Sequence, residues 1–117
     1  MYKISKTFHF SASHILNGLP EDHPCGRMHG HNYIVKIKLQ DNKLDRTGFV
    51  VDYGELAEFK HYIDNTLDHR HLNDVFDFQP SAENMARFLF NWCKQRWQQT
   101  YAVSISETPK TWATYQL

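Results

Sequence analysis

Three side chains that could bind a metal or exchange protons lie between Cys25 and His31. This heptapeptide places one thiol and two imidazoles around two glycines. Side chains two residues apart on a strand share a face, so His29 and His31 would project together from backbone positions roughly 6.6 Å apart. From there, both imidazoles could reach one ion at about 2.0–2.1 Å. The spacing therefore predicts a metal site at the start of a strand.

A third imidazole, from His14, has the parity needed to join this pair. Alternating apolar side chains predict one strand over residues 2–14 and another over residues 32–39. If the two strands pair antiparallel, His14 faces both other histidines. Three protein ligands with an open fourth position are typical of catalytic zinc sites, so zinc is the expected metal. The alternative is a closed structural site with Cys25 as the fourth ligand.

The composition limits the classes of partner. A chain of 117 residues is expected to form a single domain, residues 1–117. Thirteen basic and thirteen acidic residues leave no net charge, which argues against nucleic acid or a membrane surface and favours a small-molecule partner. The two widely separated cysteines, with no charged-then-apolar leader, predict a reduced cytoplasmic protein.

The remaining chain reads as two helices followed by two strands. Asp52 and Ser81 are the expected N-caps of two amphipathic helices, and Cys93 lies beside the apolar stripe of the second. Residues 102–107 and 112–115 are expected to form strands across a Thr108-Pro109-Lys110 turn. The simplest assembly is an α+β fold with a four-stranded antiparallel sheet and both helices on one face, in the order ββααββ.

Two acidic residues outside the histidine cluster are further candidates. Asp68 and His69 are neighbours, so their side chains can serve one site only if the backbone bends there. Glu107 shares a strand face with Val103 and Ile105; a surface ion pair with Lys110 is its alternative role. The generous loop over residues 15–24 would deliver Cys25 to the mouth of the histidine cluster.

Several short motifs run nearly from end to end of the chain. They are Phe10-Ser11-Ala12-Ser13-His14, Cys25-x-x-x-His29-Gly30-His31, Asp52-Tyr53, Leu67-Asp68-His69, Leu72-Asn73, Pro80-Ser81-x-Glu83-Asn84 and Ser106-Glu107-Thr108. Together they resemble the 6-pyruvoyl-tetrahydropterin synthase superfamily. The three-residue gap between Cys25 and His29 is similar to its 6-carboxytetrahydropterin synthase branch. Tyr53 departs from the Phe often found there, and the chain ends soon after Tyr115.

The resemblance implies the tunnelling fold, in which subunit sheets join edge to edge into a barrel. It implies a trimer-based homo-oligomer, with a hexamer as one form, and active sites at subunit interfaces. The implied reaction converts 7,8-dihydroneopterin triphosphate to 6-carboxy-5,6,7,8-tetrahydropterin, acetaldehyde and triphosphate, a step toward queuosine and other deazapurines. Elimination of triphosphate to give 6-pyruvoyl-tetrahydropterin is the alternative activity, and a non-catalytic zinc module is the alternative outside enzymes.

The resemblance also implies a role for each candidate residue. Cys25 would be the catalytic base, and His69, oriented by Asp68, would carry protons on the other side of the substrate. Glu107 would anchor the pterin through its two oxygens, and Arg27 is the candidate for binding the triphosphate. The expected zinc ligands are His14, His29 and His31.

Overall fold

Five strands form one sheet in the computed structural model, which describes residues 1–117. They are β1 (Tyr2–His14), β2 (His29–Asp41), β3 (Arg70–His71), β4 (Thr100–Thr108) and β5 (Thr111–Gln116). Their order in the sheet is β3-β1-β2-β4-β5, and every pairing among β1, β2, β4 and β5 is antiparallel. The four strands predicted from alternation are therefore confirmed.

The fifth strand corrects the expectation of a four-stranded sheet. β3 pairs parallel with the end of β1, so that Ala12 lies opposite Arg70 and Ser13 opposite His71. A strand of two residues contains no alternation to recognise, which is why the sequence pattern did not predict it. Its position matters for function because it brings the residues around His69 beside the histidine-bearing end of β1.

The three α-helices are α1 (Ala57–Tyr62), α2 (Leu72–Val75) and α3 (Ala82–Arg96). Of these, α3 begins directly after its predicted cap Ser81, whereas the predicted cap Asp52 precedes a 3₁₀ turn that leads into α1. That turn runs from Tyr53 to Leu56, and Asp52 caps it by accepting from the Gly54 N–H at 2.8 Å. Ser81 caps α3 by accepting from the Asn84 N–H at 3.2 Å. The short helix α2 was not expected. None of the helices has the length and apolar character that a membrane crossing requires.

The core lies between the helices and one face of the sheet. The Phe8 ring of β1 packs edge-on against the Phe59 ring of α1, with centroids 5.2 Å apart. Burying an aromatic side chain of this size stabilises the fold by about 1.5–3 kcal/mol. Cys93 is fully buried in the same core, and burial raises the pKa of its thiol. His14 closes the inward-facing row of β1 and is itself 0% exposed.

Candidate active site

The register between β1 and β2 assembles a cluster of three histidines. His14 lies directly opposite His29 in the ladder, and His31 follows two residues later on the same face. One ring nitrogen from each histidine lies within 4.8 Å of the others. His14 is buried, whereas His29 and His31 are partly exposed. The strand parity that suggested this cluster thus produces it in three dimensions.

Backbone carbonyls fix the orientation of two of the rings. His14 Nδ1 lies 2.8 Å from the Pro80 carbonyl oxygen, and His29 Nδ1 lies 2.6 Å from the Arg27 carbonyl oxygen. A carbonyl oxygen only accepts, so both Nδ1 atoms carry the hydrogen. In the neutral form of an imidazole that carries its hydrogen on Nδ1, Nε2 is an acceptor. The Nε2 atoms of His14 and His29 lie 2.9 Å apart. This carbonyl–histidine arrangement is typical of metal-ligating histidines.

The donor set of the cluster fits a metal ion. Two lone pairs 2.9 Å apart repel each other unless a proton or a cation lies between them. His31 Nε2 is buried without a hydrogen-bond partner, and burial lowers the pKa of both His14 and His31. Neutral imidazole is the form that binds first-row metals. A single cation bound by the three rings would satisfy all of these nitrogens.

Asp68 and His69 form a second pair that the backbone holds in place. Asp68 Oδ1 accepts from the Ser11 N–H at 2.9 Å, and the His69 N–H donates to the Ser11 carbonyl. His69 has φ of 60°, the left-handed conformation that residues other than glycine rarely adopt. This is the bend that two neighbouring side chains need in order to converge. As a result, Asp68 Oδ2 lies 2.9 Å from His69 Nδ1.

The Asp68 carboxyl is held in its charged form. The hydrogen bond from the Ser11 N–H, helped by His69, keeps the pKa of Asp68 below its ordinary value. An ionised Asp68 accepts from His69 Nδ1 and leaves His69 Nε2 free. The His69 side chain is 83% exposed, so this nitrogen is accessible to a ligand.

Glu107 lies between the histidine cluster and an open cleft. Its Oε2 is 3.4 Å from His31 Nε2, and it makes no ion pair with Lys110. The cleft has a volume of about 680 Å³, and its walls include His31, Asp68, His69 and Glu107. One histidine of the cluster, the hydrogen-bonded Asp68–His69 pair and the Glu107 carboxylate thus line one space.

Cys25 and Arg27 lie outside this cleft. Cys25 sits in a short 3₁₀ turn, half-exposed, and its thiol is not part of the three-histidine group. The structure therefore does not bring together the closed site of three histidines and one cysteine. The backbone of Cys25 is nevertheless tied to the segment that follows His14, because the Leu16 N–H donates to the Cys25 carbonyl at 3.0 Å. The Arg27 side chain is exposed. Its backbone carbonyl lies next to the cluster and orients the His29 ring.

Sequence reasoning missed the groups that hold the cluster in place. The Pro80 carbonyl is 66 residues from the His14 ring that it orients, and a backbone oxygen leaves no sequence signal. Asn73 also escaped assignment: its side chain accepts from the Ile15 N–H and donates to the Ile15 carbonyl, at 2.8 and 2.9 Å. Its place in the Leu72-Asn73 motif was the available signal.

Comparisons with known proteins agree on one family and include two enzyme names. Residues 3–117 match the sequence profile of the 6-pyruvoyl tetrahydropterin synthase family. The chain is 29% identical to the 6-carboxy-5,6,7,8-tetrahydropterin synthase of Haemophilus influenzae over a 143-residue alignment that covers 99% of each protein. It is 31% identical to the Bacillus subtilis enzyme of that name over 77% of this chain and 64% of the relative. The solved 6-pyruvoyl tetrahydropterin synthase of Caenorhabditis elegans superposes with a TM-score of 0.86 at 30% identity, covering 99% of this chain and 95% of that one.

Proposed function

Because this chain belongs to the 6-pyruvoyl tetrahydropterin synthase family, we propose that it is a zinc-dependent carbon–carbon lyase of the 6-carboxytetrahydropterin synthase type. The proposed substrates are 7,8-dihydroneopterin triphosphate and one molecule of water. The products are 6-carboxy-5,6,7,8-tetrahydropterin, acetaldehyde and triphosphate, with the pterin feeding queuosine and deazapurine synthesis. The bacterial relatives that carry this enzyme name support the assignment.

The observation that carries the proposal is the shared wall between the histidine cluster and the cleft. His14, His29 and His31 would hold the zinc ion. When bound, zinc supplies a Lewis acid that stabilises negative charge developing on substrate oxygens. His31 is both a member of the cluster and a wall of the cleft, so a ligand in the cleft meets the metal site directly.

Glu107 would bind the pterin ring. A carboxylate has two oxygens that only accept, which complements the amide N–H and the amino group on one edge of a pterin. Glu107 lies on the cleft wall 3.4 Å from His31, so a ring anchored there would place its side chain close to the metal ligands. Glu107 is thus the candidate that orients the substrate.

His69 would exchange protons with the substrate. Its Nδ1–H donates to the Asp68 carboxylate, which sets the ring orientation. The free Nε2 can then take up a proton and return it. Because the proposed reaction rearranges hydrogens without net oxidation, it needs such a reversible carrier and a second group on the opposite face of the substrate.

Cys25 is our candidate for that second group. Its backbone is tied to Leu16, two residues beyond the ligand His14. For Cys25 to act on the substrate, the loop that contains it would have to change conformation and bring the thiol to the cleft. Its absence from the three-histidine group fits a group that acts on the substrate and leaves the metal coordination to the imidazoles.

The sister activity, elimination of triphosphate to give 6-pyruvoyl-tetrahydropterin, is the second candidate. It is favoured by the likeness to the C. elegans structure of that name. Mass spectrometry of the products separates the two activities, because only the carboxy product is accompanied by acetaldehyde. If zinc-loaded protein turns over dihydroneopterin triphosphate to neither product, the proposed function is wrong.

We also propose that the chain works as a cytoplasmic homo-oligomer. β3 and β5 are the edge strands of the sheet, and each has one side without a partner strand. Unpaired backbone groups at an edge are suited to pairing with another copy. A barrel built from trimers is the assembly that the family resemblance predicts, and sedimentation analysis would measure its mass.

A further inference from the structure

A second cleft opens beside the first and differs from it in charge. It has a volume of about 480 Å³, and it shares with the first cleft the residues Ser11, Gly30, His31, Asn32 and His69. The walls that belong to the second cleft alone are formed by Ala12, Ser13, Arg70 and His71. The two clefts are thus continuous around His69, while only the first contains the carboxylates of Asp68 and Glu107.

Ser13 and His71 form a polar pair in the second cleft that none of the roles above uses. Ser13 Oγ lies 2.9 Å from His71 Nδ1, a contact set by the parallel pairing of β3 with β1. If the hydroxyl donates to Nδ1, the ring keeps Nε2–H as a free donor. If Nδ1–H donates to the hydroxyl, Ser13 keeps its own O–H as a free donor. Either tautomer leaves the pair with a donor to offer.

The neighbouring groups in the second cleft are also donors. The Ser11 hydroxyl donates to Asn32 Oδ1 at 2.7 Å, which orients the Asn32 amide and leaves its N–H₂ group free. Arg70 donates one hydrogen bond to the Asn65 carbonyl, and its guanidinium has four further N–H groups. No carboxylate contributes to the walls. A cleft with this composition suits a ligand that only accepts hydrogen bonds and carries negative charge.

We propose that this second cleft binds the phosphate groups of the substrate, with the Ser13–His71 pair as a specific contact. The inference rests on the proposed function for the identity of the ligand, and on the cleft itself for its chemistry. Phosphate oxygens accept from several N–H and O–H groups at once. The carboxylates of the first cleft repel a polyphosphate, so a pterin triphosphate orients with its ring toward Glu107 and its tail toward His71.

The test compares three ligands by calorimetry on the metal-loaded protein: 7,8-dihydroneopterin triphosphate, 7,8-dihydroneopterin and inorganic triphosphate. His71→Phe keeps a ring of similar size and removes its nitrogens. This variant should lower the affinity for both phosphate-bearing ligands by about tenfold or more and leave the affinity for dihydroneopterin unchanged. The matched control is His61→Phe, because His61 is an exposed histidine on α1 away from both clefts. Metal content is measured after each titration, since triphosphate binds divalent ions itself.

Ser13→Ala tests the same contact in case His71→Phe does not fold. This variant should weaken the binding of the same two ligands. Unchanged triphosphate binding in both variants would overturn the inference, as would an equal loss for dihydroneopterin. Failure of the proposed function can be told apart from failure of this inference. If the protein releases no acetaldehyde but His71→Phe weakens its binding of inorganic triphosphate, the phosphate site stands and the lyase activity is wrong. If the protein releases acetaldehyde but His71→Phe leaves its affinity for triphosphate unchanged, the lyase activity stands and the phosphate site is wrong.

Discussion

His14 Nε2 and His29 Nε2 lie 2.9 Å apart, although in each ring the hydrogen is on Nδ1, which donates to a backbone carbonyl. Two acceptor nitrogens held at that distance are stable only when a cation or a proton lies between them. The strands hold the rings in this relationship through their register, and the carbonyls hold the tautomers. The register and the carbonyls therefore hold the rings in an arrangement that suits a metal ion.

His29→Ala should abolish stoichiometric metal binding and activity while the chain stays folded. The core contains 23 buried residues that pack without the histidine cluster, so the strands and helices do not need the ion to bury their apolar faces. Metal analysis and far-UV circular dichroism measure the two effects. If the metal-free variant unfolds, the ion is structural, and the open catalytic site is the wrong interpretation.

Cys25→Ala should keep one metal ion per chain and lose turnover. The thiol lies outside the three-histidine group, so its removal leaves the coordination intact. Cys93→Ser is an unsuitable control because that side chain is fully buried, whereas Ser5→Ala changes an exposed residue on the far part of β1. A parallel loss of metal and activity in Cys25→Ala would place the sulfur in the coordination sphere.

Asp68→Asn should reduce stability in a pH-dependent way. The hydrogen bond from Ser11 holds the folded pKa of Asp68 below its unfolded value of about 3.9. The stabilisation is therefore fully present above the unfolded pKa and is lost as the pH falls through the folded pKa. Melting temperatures of the metal-free proteins should differ at pH 6 and converge in strong acid, taking about pH 6 as well above the unfolded value. A difference that grows toward acid would contradict the ionised Asp68.

Glu107→Gln should weaken pterin binding by about a hundredfold while the metal stays bound. The amide keeps the shape of the side chain but replaces one acceptor with a donor, which then faces a pterin N–H; each buried group left unpaired costs about 1–3 kcal/mol. Glu55→Gln, at an exposed position in the 3₁₀ turn before α1, is the matched control. Calorimetry with dihydroneopterin measures the effect, and unchanged affinity would remove Glu107 from the binding site.

The alternation of side chains along a strand made the three-histidine part of the site predictable from the sequence. His14, His29 and His31 fall on one face because side chains alternate along strands, and this rule holds wherever the two strands pair. The caps Asp52 and Ser81 were equally local signals, and both helical segments begin where predicted. In these cases the information lies within a few residues of the feature.

The rest depended on contacts between distant segments. β3 has only two residues and forms because the chain after Leu67 returns to the edge of β1. The bend at His69 is fixed by Ser11, 58 residues earlier in the sequence, and the Cys25 thiol is positioned by a loop without periodicity. No local pattern encodes such pairings, so sequence reasoning could identify the residue types but not their arrangement.

The most direct test of the central claim is the stoichiometry of acetaldehyde release. Zinc-loaded protein is incubated with 7,8-dihydroneopterin triphosphate, and acetaldehyde and 6-carboxy-5,6,7,8-tetrahydropterin are both quantified. We expect one acetaldehyde per carboxypterin with the native chain and neither product with His29→Ala. Release of triphosphate with a 6-pyruvoyl product and no acetaldehyde, or turnover that survives loss of the metal-binding histidines, would contradict the account.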